Sequence, residues 1–312
     1  MSFPAAVATP AAAPPAAGAV GTAAQPCAAE AGGVAGPQEQ RAARRAGAPR
    51  SLSPSRASDF VQCPLLYRFR VIDRLPEPPS PAALRGTVVH AVLERLFDLP
   101  AAERTPQAAR SLLTPSWEHL REQDPELAAL FEDDEEQQWL TSAAVLLDRW
   151  FELEDPTRLE PAERELFVEV DLDSGLRLRG YVDRLDVSPA GDLRVVDYKT
   201  GRSPKEAFEA KALFQMRFYA LVLWRLRGVV PRVLQLVYLG DGQVLRYSPH
   251  EDELRATERK LEALWRAVQR ATETGDWRPR RSRLCDWCAH QSLCPLFGGT
   301  PPPLPEGARP LL

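Results

Sequence analysis

The chain has no apolar run approaching the roughly 18 residues that a membrane helix requires, and its first residues lack the basic start and compact hydrophobic core of a secretion signal. Those absences point to the cytoplasm, with no membrane partner. A phosphate-binding loop of the GxxxxGK(S/T) type is missing as well, so nucleotide-driven work would have to come from another polypeptide. Basic residues are not in excess: 39 Lys and Arg stand against 43 Asp and Glu, a formal net charge of -4. That balance does not announce a polyanion partner, nor does it exclude one, because a basic channel can sit in an acidic molecule. Cysteine is scarce, with five in 312 residues. A chain of this length buries enough core to fold without covalent staples, and cytosolic thiols stay reduced. Its cysteines are therefore expected to carry chemistry.

Aromatic side chains are nearly absent from residues 1–49, which are dominated by Ala, Pro and Gly. Such a segment cannot bury enough apolar surface to offset its ordering entropy, so it is expected to be a disordered leader. Cys27 lies in it as a bystander, and Arg41, Arg44, Arg45 and Arg50 offer charge that could brush a phosphate backbone but need be no more than a solvated face. Residues 50–300 are expected to form one domain and 301–312 a short Pro-rich tail. Order begins at Ser53, with Pro54 suited to a first helical turn and Phe60, Val61 and Leu65 spaced for a buried stripe. After a Pro-rich link at 76–81, residues 86–96 read as a helix carrying His90 and Glu94 on one face. Residues 101–160 look helical, and strand periodicity starts near Leu166.

In LRLRGYVDRLDV, alternation places Leu176, Leu178, Gly180 and Val182 on one face and Arg177, Arg179, Tyr181 and Asp183 on the other. Residues 188–192 form a turn, and the returning strand over 193–199 puts Leu193, Val195, Asp197 and Lys199 on one side. If the two strands pair, Asp183 approaches Asp197 across them. Two carboxylates aimed at one point repel unless a cation sits between them, which is the physical case for a divalent metal. Taken singly, Asp183 could be a surface acid, Asp197 the start of a turn and Lys199 a solvated amine; His90 alone would more often pack than ligate. A helix over 205–227 carries Gln215 and Tyr219, PRVLQLVYL and GQVLRY read as further strands, and residues 251–273 form an amphipathic helix. A mixed sheet with helices on both sides follows.

The series Gly86 to His90, GYVDRLD at 180–186, VVDYKT at 195–200, and Gln215 with Tyr219 resembles the RecB-type nuclease branch of the PD-(D/E)xK superfamily. The resemblance covers about residues 51–296. It implies an α/β fold with a central mixed sheet and hydrolysis of a DNA phosphodiester by a metal-activated water. His90, Asp183, Asp197 and the carbonyl of Tyr198 would be ligands for Mg²⁺ or Mn²⁺, and Lys199 would orient the water and offset charge on the phosphoryl group. Gln215 and Tyr219 would face the centre, while Glu94 could hold His90 or remain helical surface. The implied partner is DNA with single-stranded ends, degraded exonucleolytically in repair or recombination, with any helicase a separate protein. A structure-specific or single-strand endonuclease and a non-cleaving nucleic-acid scaffold remain alternatives.

Cys63 and the CxxCx5C group of Cys285, Cys288 and Cys294 complete the pattern. Four thiolates suit zinc or an iron-sulfur cluster. The split spacing is similar to iron-sulfur members of the family, including AddB-type nuclease domains and CRISPR-adaptation nucleases, and implies a 4Fe-4S clasp closing the fold, with structural Zn²⁺ as the alternative. His290, between two of these cysteines, is expected at the surface or behind the ligands. Arg278, Arg280, Arg281 and Arg283 with Trp277 and Trp287 have the composition of a phosphate-binding and base-stacking surface, and equally of side chains that stabilise an otherwise bare cluster loop.

Overall fold

The computed structural model describes residues 51–204 and 209–305. These belong to one unit of the chain, Gly47–Leu312. The leader expected over 1–49, with Cys27 and its arginines, and the end of the tail lie outside the described residues.

A short strand β1 (Ser51–Leu52) leads into helix α1 (Pro54–Gln62). Ser53 caps that helix, its hydroxyl accepting the Arg56 N–H at 3.3 Å, and Pro54 fills the first turn. The helix stops at Cys63, whose backbone is extended ahead of Pro64, and α2 (Pro64–Tyr67) follows. Helix α3 (Pro81–Leu96) begins ahead of the expected 86–96, because Ser80 caps Ala83 and Pro81 occupies its first turn. The last proline of the supposed link is thus a helix start. The helical stretch at 101–160 resolves into α4 (Pro106–Ser111), α5 (Leu113–Gln123) and α6 (Asp133–Leu153).

The strands are β2 (Glu163–Asp171), β3 (Arg177–Val187) and β4 (Leu193–Lys199); after helix α7 (Glu209–Arg227) come β5 (Val233–Tyr238) and β6 (Gln243–Tyr247), and helix α8 (Glu251–Thr274) closes the series. Strand β2 runs antiparallel along one edge of β3, whose other edge is shared by β1 at Arg177–Leu178 and β4 at Arg184–Val187. Strand β5 pairs parallel with β4, the crossover being α7, and β6 is antiparallel to β5. Helix α8 ends where Gly275 turns left-handed at φ 73°.

Each face of this mixed sheet has its own core. On one, Val168, Leu178, Val182, Leu185 and Val195 pack with Phe218 and Val222 of α7 and with Leu261 and Val268 of α8. On the other, Val196, Tyr198, Val237 and Leu239 pack with Val89 and Leu93 of α3, Trp117 of α5 and Trp150 of α6. Gly180 permits a close approach between sheet and helix: a Cβ there would lie 2.8 Å from Cε1 of Tyr219 on α7.

The four-cysteine clasp is a correction. Cys63, Cys285, Cys288 and Cys294 are all free thiols. They line a shared cavity of about 230 Å³. No three of their sulfurs come within 4.8 Å of one another, whereas His90, Glu165 and Asp183 do offer such a group of ligand atoms among the described residues. Each of two thiols is instead tied to nearby backbone: Cys63 Sγ accepts the Arg280 N–H at 3.4 Å, and Cys285 Sγ accepts the Ser282 N–H at 3.3 Å. Burial pushes the Cys288 thiol up. Sequence spacing brought the cysteines to one neighbourhood without gathering a ligand cage, and neither the iron-sulfur nor the zinc clasp stands.

Packing and hydrogen bonds join the two ends instead. Trp277 is buried and stacks on Tyr67 at 6.0 Å between ring centroids, with Phe60 edge-on at 6.3 Å. Arg280 Nη1 donates to the Val61 carbonyl at 2.5 Å, and Arg68 donates to the Pro302 carbonyl. His290 is buried, not superficial, with Nε2 2.8 Å from Glu77 Oε1.

Candidate active site

The alternation of β2 and β3 breaks at one pair of facing positions. Val182 and Leu185 both enter the α7-side core, while Arg184 turns to the opposite face with Tyr198 and Glu154. Strict alternation would put Val182 and Leu185 on opposite faces, so the side-chain alternation slips by one residue around Asp183 while the pairing register of β2 and β3 is unchanged on either side. On β2 the facing residue, Glu165, has φ 44°, a left-handed backbone that a non-glycine residue adopts at a cost of order 1–3 kcal/mol. The slip turns both carboxylates toward His90 on α3.

His90 Nε2 lies 3.0 Å from the Tyr198 carbonyl. A carbonyl only accepts, so Nε2 carries the proton and Nδ1 faces the acids. Nδ1 is 3.7 Å from Glu165 Oε1 and 3.6 Å from Asp183 Oδ2. Asp183 Oδ2 also accepts the Tyr198 N–H at 2.7 Å. Burial alone would lower the imidazole, but Glu165, Asp183 and Asp197 outweigh it and raise it to about 8. Burial, reinforced by the charge of Asp197, raises Asp183 to about 7. A buried acid beside further acids holds its charge only where a cation offsets it. An imidazole with carboxylate oxygens is a donor set for Mn²⁺ or Mg²⁺; the residues fit such an ion.

Asp197 stands at the end of β4 as expected. Its Oδ1 accepts from Gln215 Nε2 at 2.9 Å and its Oδ2 lies 2.6 Å from Lys199 Nζ. Tyr219 lies against Gly180 in the same neighbourhood, its phenol raised by burial and then by Asp197. Glu94 lines the small recess with His90, Glu165 and Asp183, and burial, then Glu165, raises its carboxyl. The Tyr198 carbonyl, expected to face a metal, accepts from His90 Nε2.

Tyr198 is the hub of this arrangement. Its amide holds Asp183, its carbonyl holds His90, and its side chain is fixed behind the site. There Arg184, only 1% exposed, makes paired hydrogen bonds to both Glu154 carboxylate oxygens at 2.8 Å and donates to the Tyr198 hydroxyl. Glu154 keeps its charge in spite of burial because the Arg184 guanidinium lowers its carboxyl.

Two parts of this constellation are hidden in the sequence. Glu165 sits in an ordinary strand pattern, and only its backbone, invisible in sequence, aims it at His90. Arg184 reads as a solvated neighbour of Asp183 until the slip buries it. The surface inferred at 277–287 divides: Trp277 is core, Arg278 pairs with Asp276 at 2.9 Å, Arg281 lies 6.0 Å over the Phe297 ring, and Trp287 is 78% exposed.

Comparison with known proteins agrees with this geometry. The chain is 25% identical over 273 residues to Gene 69 protein of Mycobacterium phage D29, covering 78% of this chain and 96% of the phage protein. Gene 69 protein of Mycobacterium phage L5 is 24% identical over 287 residues, with the same coverage. A crystal structure of a putative exonuclease from Eubacterium rectale superposes with a TM-score of 0.53 at 16% identity, covering 77% of this chain and 88% of that one, a likeness of fold. Residues 51–295 match one family over most of the sequence: the chain belongs to the PD-(D/E)XK nuclease superfamily.

Proposed function

We propose that this protein is a divalent-metal-dependent deoxyribonuclease of the RecB type, acting as an exonuclease on single-stranded DNA ends in repair or recombination. The observation that carries this reading is the gathering of His90, Glu165 and Asp183 ligand atoms within 4.8 Å beside the Asp197–Lys199 pair. In this reading His90, Glu165, Asp183 and Asp197 hold Mg²⁺ or Mn²⁺. Bound there, the ion supplies Lewis-acid stabilisation of the phosphoryl oxygens and lowers the pKa of a water.

The side chains divide the remaining work. Lys199, held by Asp197, positions the attacking water and offsets the negative charge that grows on the phosphoryl group. Gln215 fixes the orientation of Asp197, and Tyr219 closes that flank. The Tyr198 carbonyl holds the imidazole in the tautomer that leaves Nδ1 free to ligate. Any helicase in the same pathway is a separate chain.

Matched linear and covalently closed single-stranded DNA, incubated with the full chain in Mg²⁺ or Mn²⁺, test the reading. Asp197→Ala serves as contamination control. Loss of the linear DNA alone supports an exonuclease. Cutting of the circle establishes an endonuclease, and a wild type that binds but cuts neither is a scaffold.

A further inference from the structure

We propose that Phe167 and Tyr181 form a stacking platform for an unpaired base next to the scissile phosphate, a proposal that rests on the nuclease reading above. The two residues face each other across β2 and β3. Their ring centroids are 5.2 Å apart at an interplanar angle of 54°, and they are 48% and 57% exposed. Buried aromatic pairs are routine, but here two large rings are left open to solvent on the face opposite the α7-side core.

Their position selects the occupant. Phe167 is two residues beyond Glu165, and Tyr181 two residues before Asp183. Two residues of strand span about 6.7 Å, so a nucleotide whose phosphate reaches the acids has a base within reach of the rings. The next same-face pair along the strands is Glu169 and Arg179, followed by Asp171 and Arg177. Arg177 neutralises both nearby acids, at 3.4 Å from Glu169 and 2.7 Å from Asp171. Among the described residues, the side chain of Arg179 has no ion-pair or hydrogen-bond partner, leaving its charge for the adjoining phosphate. Aromatic faces accept any base, so the platform binds without sequence preference. A base in a duplex has both faces covered by its neighbours, so the occupant is an unpaired strand.

The test is fluorescence anisotropy of a labelled 20-nucleotide oligo(dT) and of a blunt duplex with the full chain in chelator, so that binding is read without cleavage. The double variant Phe167→Ala, Tyr181→Ala is expected to bind oligo(dT) roughly 5- to 100-fold more weakly. Phe167→Leu, Tyr181→Leu, which covers the sheet without a π face, is expected to lose a similar factor. Phe167→Tyr, Tyr181→Phe retains binding, and Leu226→Ala, at an exposed leucine elsewhere, changes nothing. Arg179→Ala reduces the slope of log affinity against log salt by about 0.7. If the alanine variant does not fold, the leucine variant decides. Wild-type affinity in the leucine variant overturns the platform, as does an equal loss on the blunt duplex. With cleavage of single strands by the wild type intact, such a result removes the platform alone; a wild type that neither binds nor cleaves DNA removes the nuclease reading with it.

Discussion

Glu165 holds a backbone conformation that side chains rarely adopt, and what the molecule gains is a third oxygen-bearing group facing His90. Replacing it with glutamine keeps size and polarity but removes charge, so Mn²⁺ affinity measured by calorimetry should fall by at least about 10-fold with little change in Tm. Arg184 makes the opposite kind of contribution, through Tyr198. Arg184→Ala leaves Glu154 in the core without its cation and should cost about 3–5 kcal/mol of unfolding free energy, read by denaturant titration. What local pattern made legible was placement: Asp183 in a strand, and Asp197 and Lys199 two apart on the returning strand. Glu165 was illegible because its meaning lies in a φ angle, and Arg184 because it depends on the slip that moves it from one face to the other.

The elements divide in a similar way. Strands β3 and β4, the α7 crossover and α8 were legible as elements, yet only α8 buries a regular stripe, through Leu254, Leu261, Trp265 and Val268; α7 is buried without a break from Phe218 to Leu223. The start of α3 was hidden by proline, which marks a linker and a helical first turn equally well until the Ser80 cap is seen. Val61, expected in the stripe of α1, is 54% exposed, whereas Phe60 and Leu65 are buried. The approach of α7 to β3 at Gly180 gives a direct test: Gly180→Ala drives a methyl group into the Tyr219 ring and should cost about 1–3 kcal/mol by thermal or denaturant unfolding. A variant as stable as the wild type would show that the helix stands farther from the sheet.

On the scale of the whole described unit, the sheet separates two cores, and the candidate site lies where α3, β2, β3 and β4 converge. The segment after α8 returns to α1, carried by Trp277 between Phe60 and Tyr67 rather than by a metal clasp. Trp277→Ala should cost about 3–5 kcal/mol and expose residues 278–305 to limited proteolysis before the sheet unfolds. The cysteine pattern shows how far spacing reaches: it placed four thiols around one cavity, but the positions of the sulfurs depend on the short turns that carry them. Among the described residues no helix is long and apolar enough to cross a membrane. The central claim is that the convergence of His90, Glu165, Asp183 and Asp197 hydrolyses DNA with a divalent ion. The most direct measurement is the cleavage rate of end-labelled single-stranded DNA in Mn²⁺ by the wild type and by Asp183→Asn, two proteins first matched for Tm. The account predicts that the wild type cuts and that the variant is slower by at least about 100-fold; equal rates, or an intact substrate with the wild type in Mn²⁺ and in Mg²⁺, would contradict it.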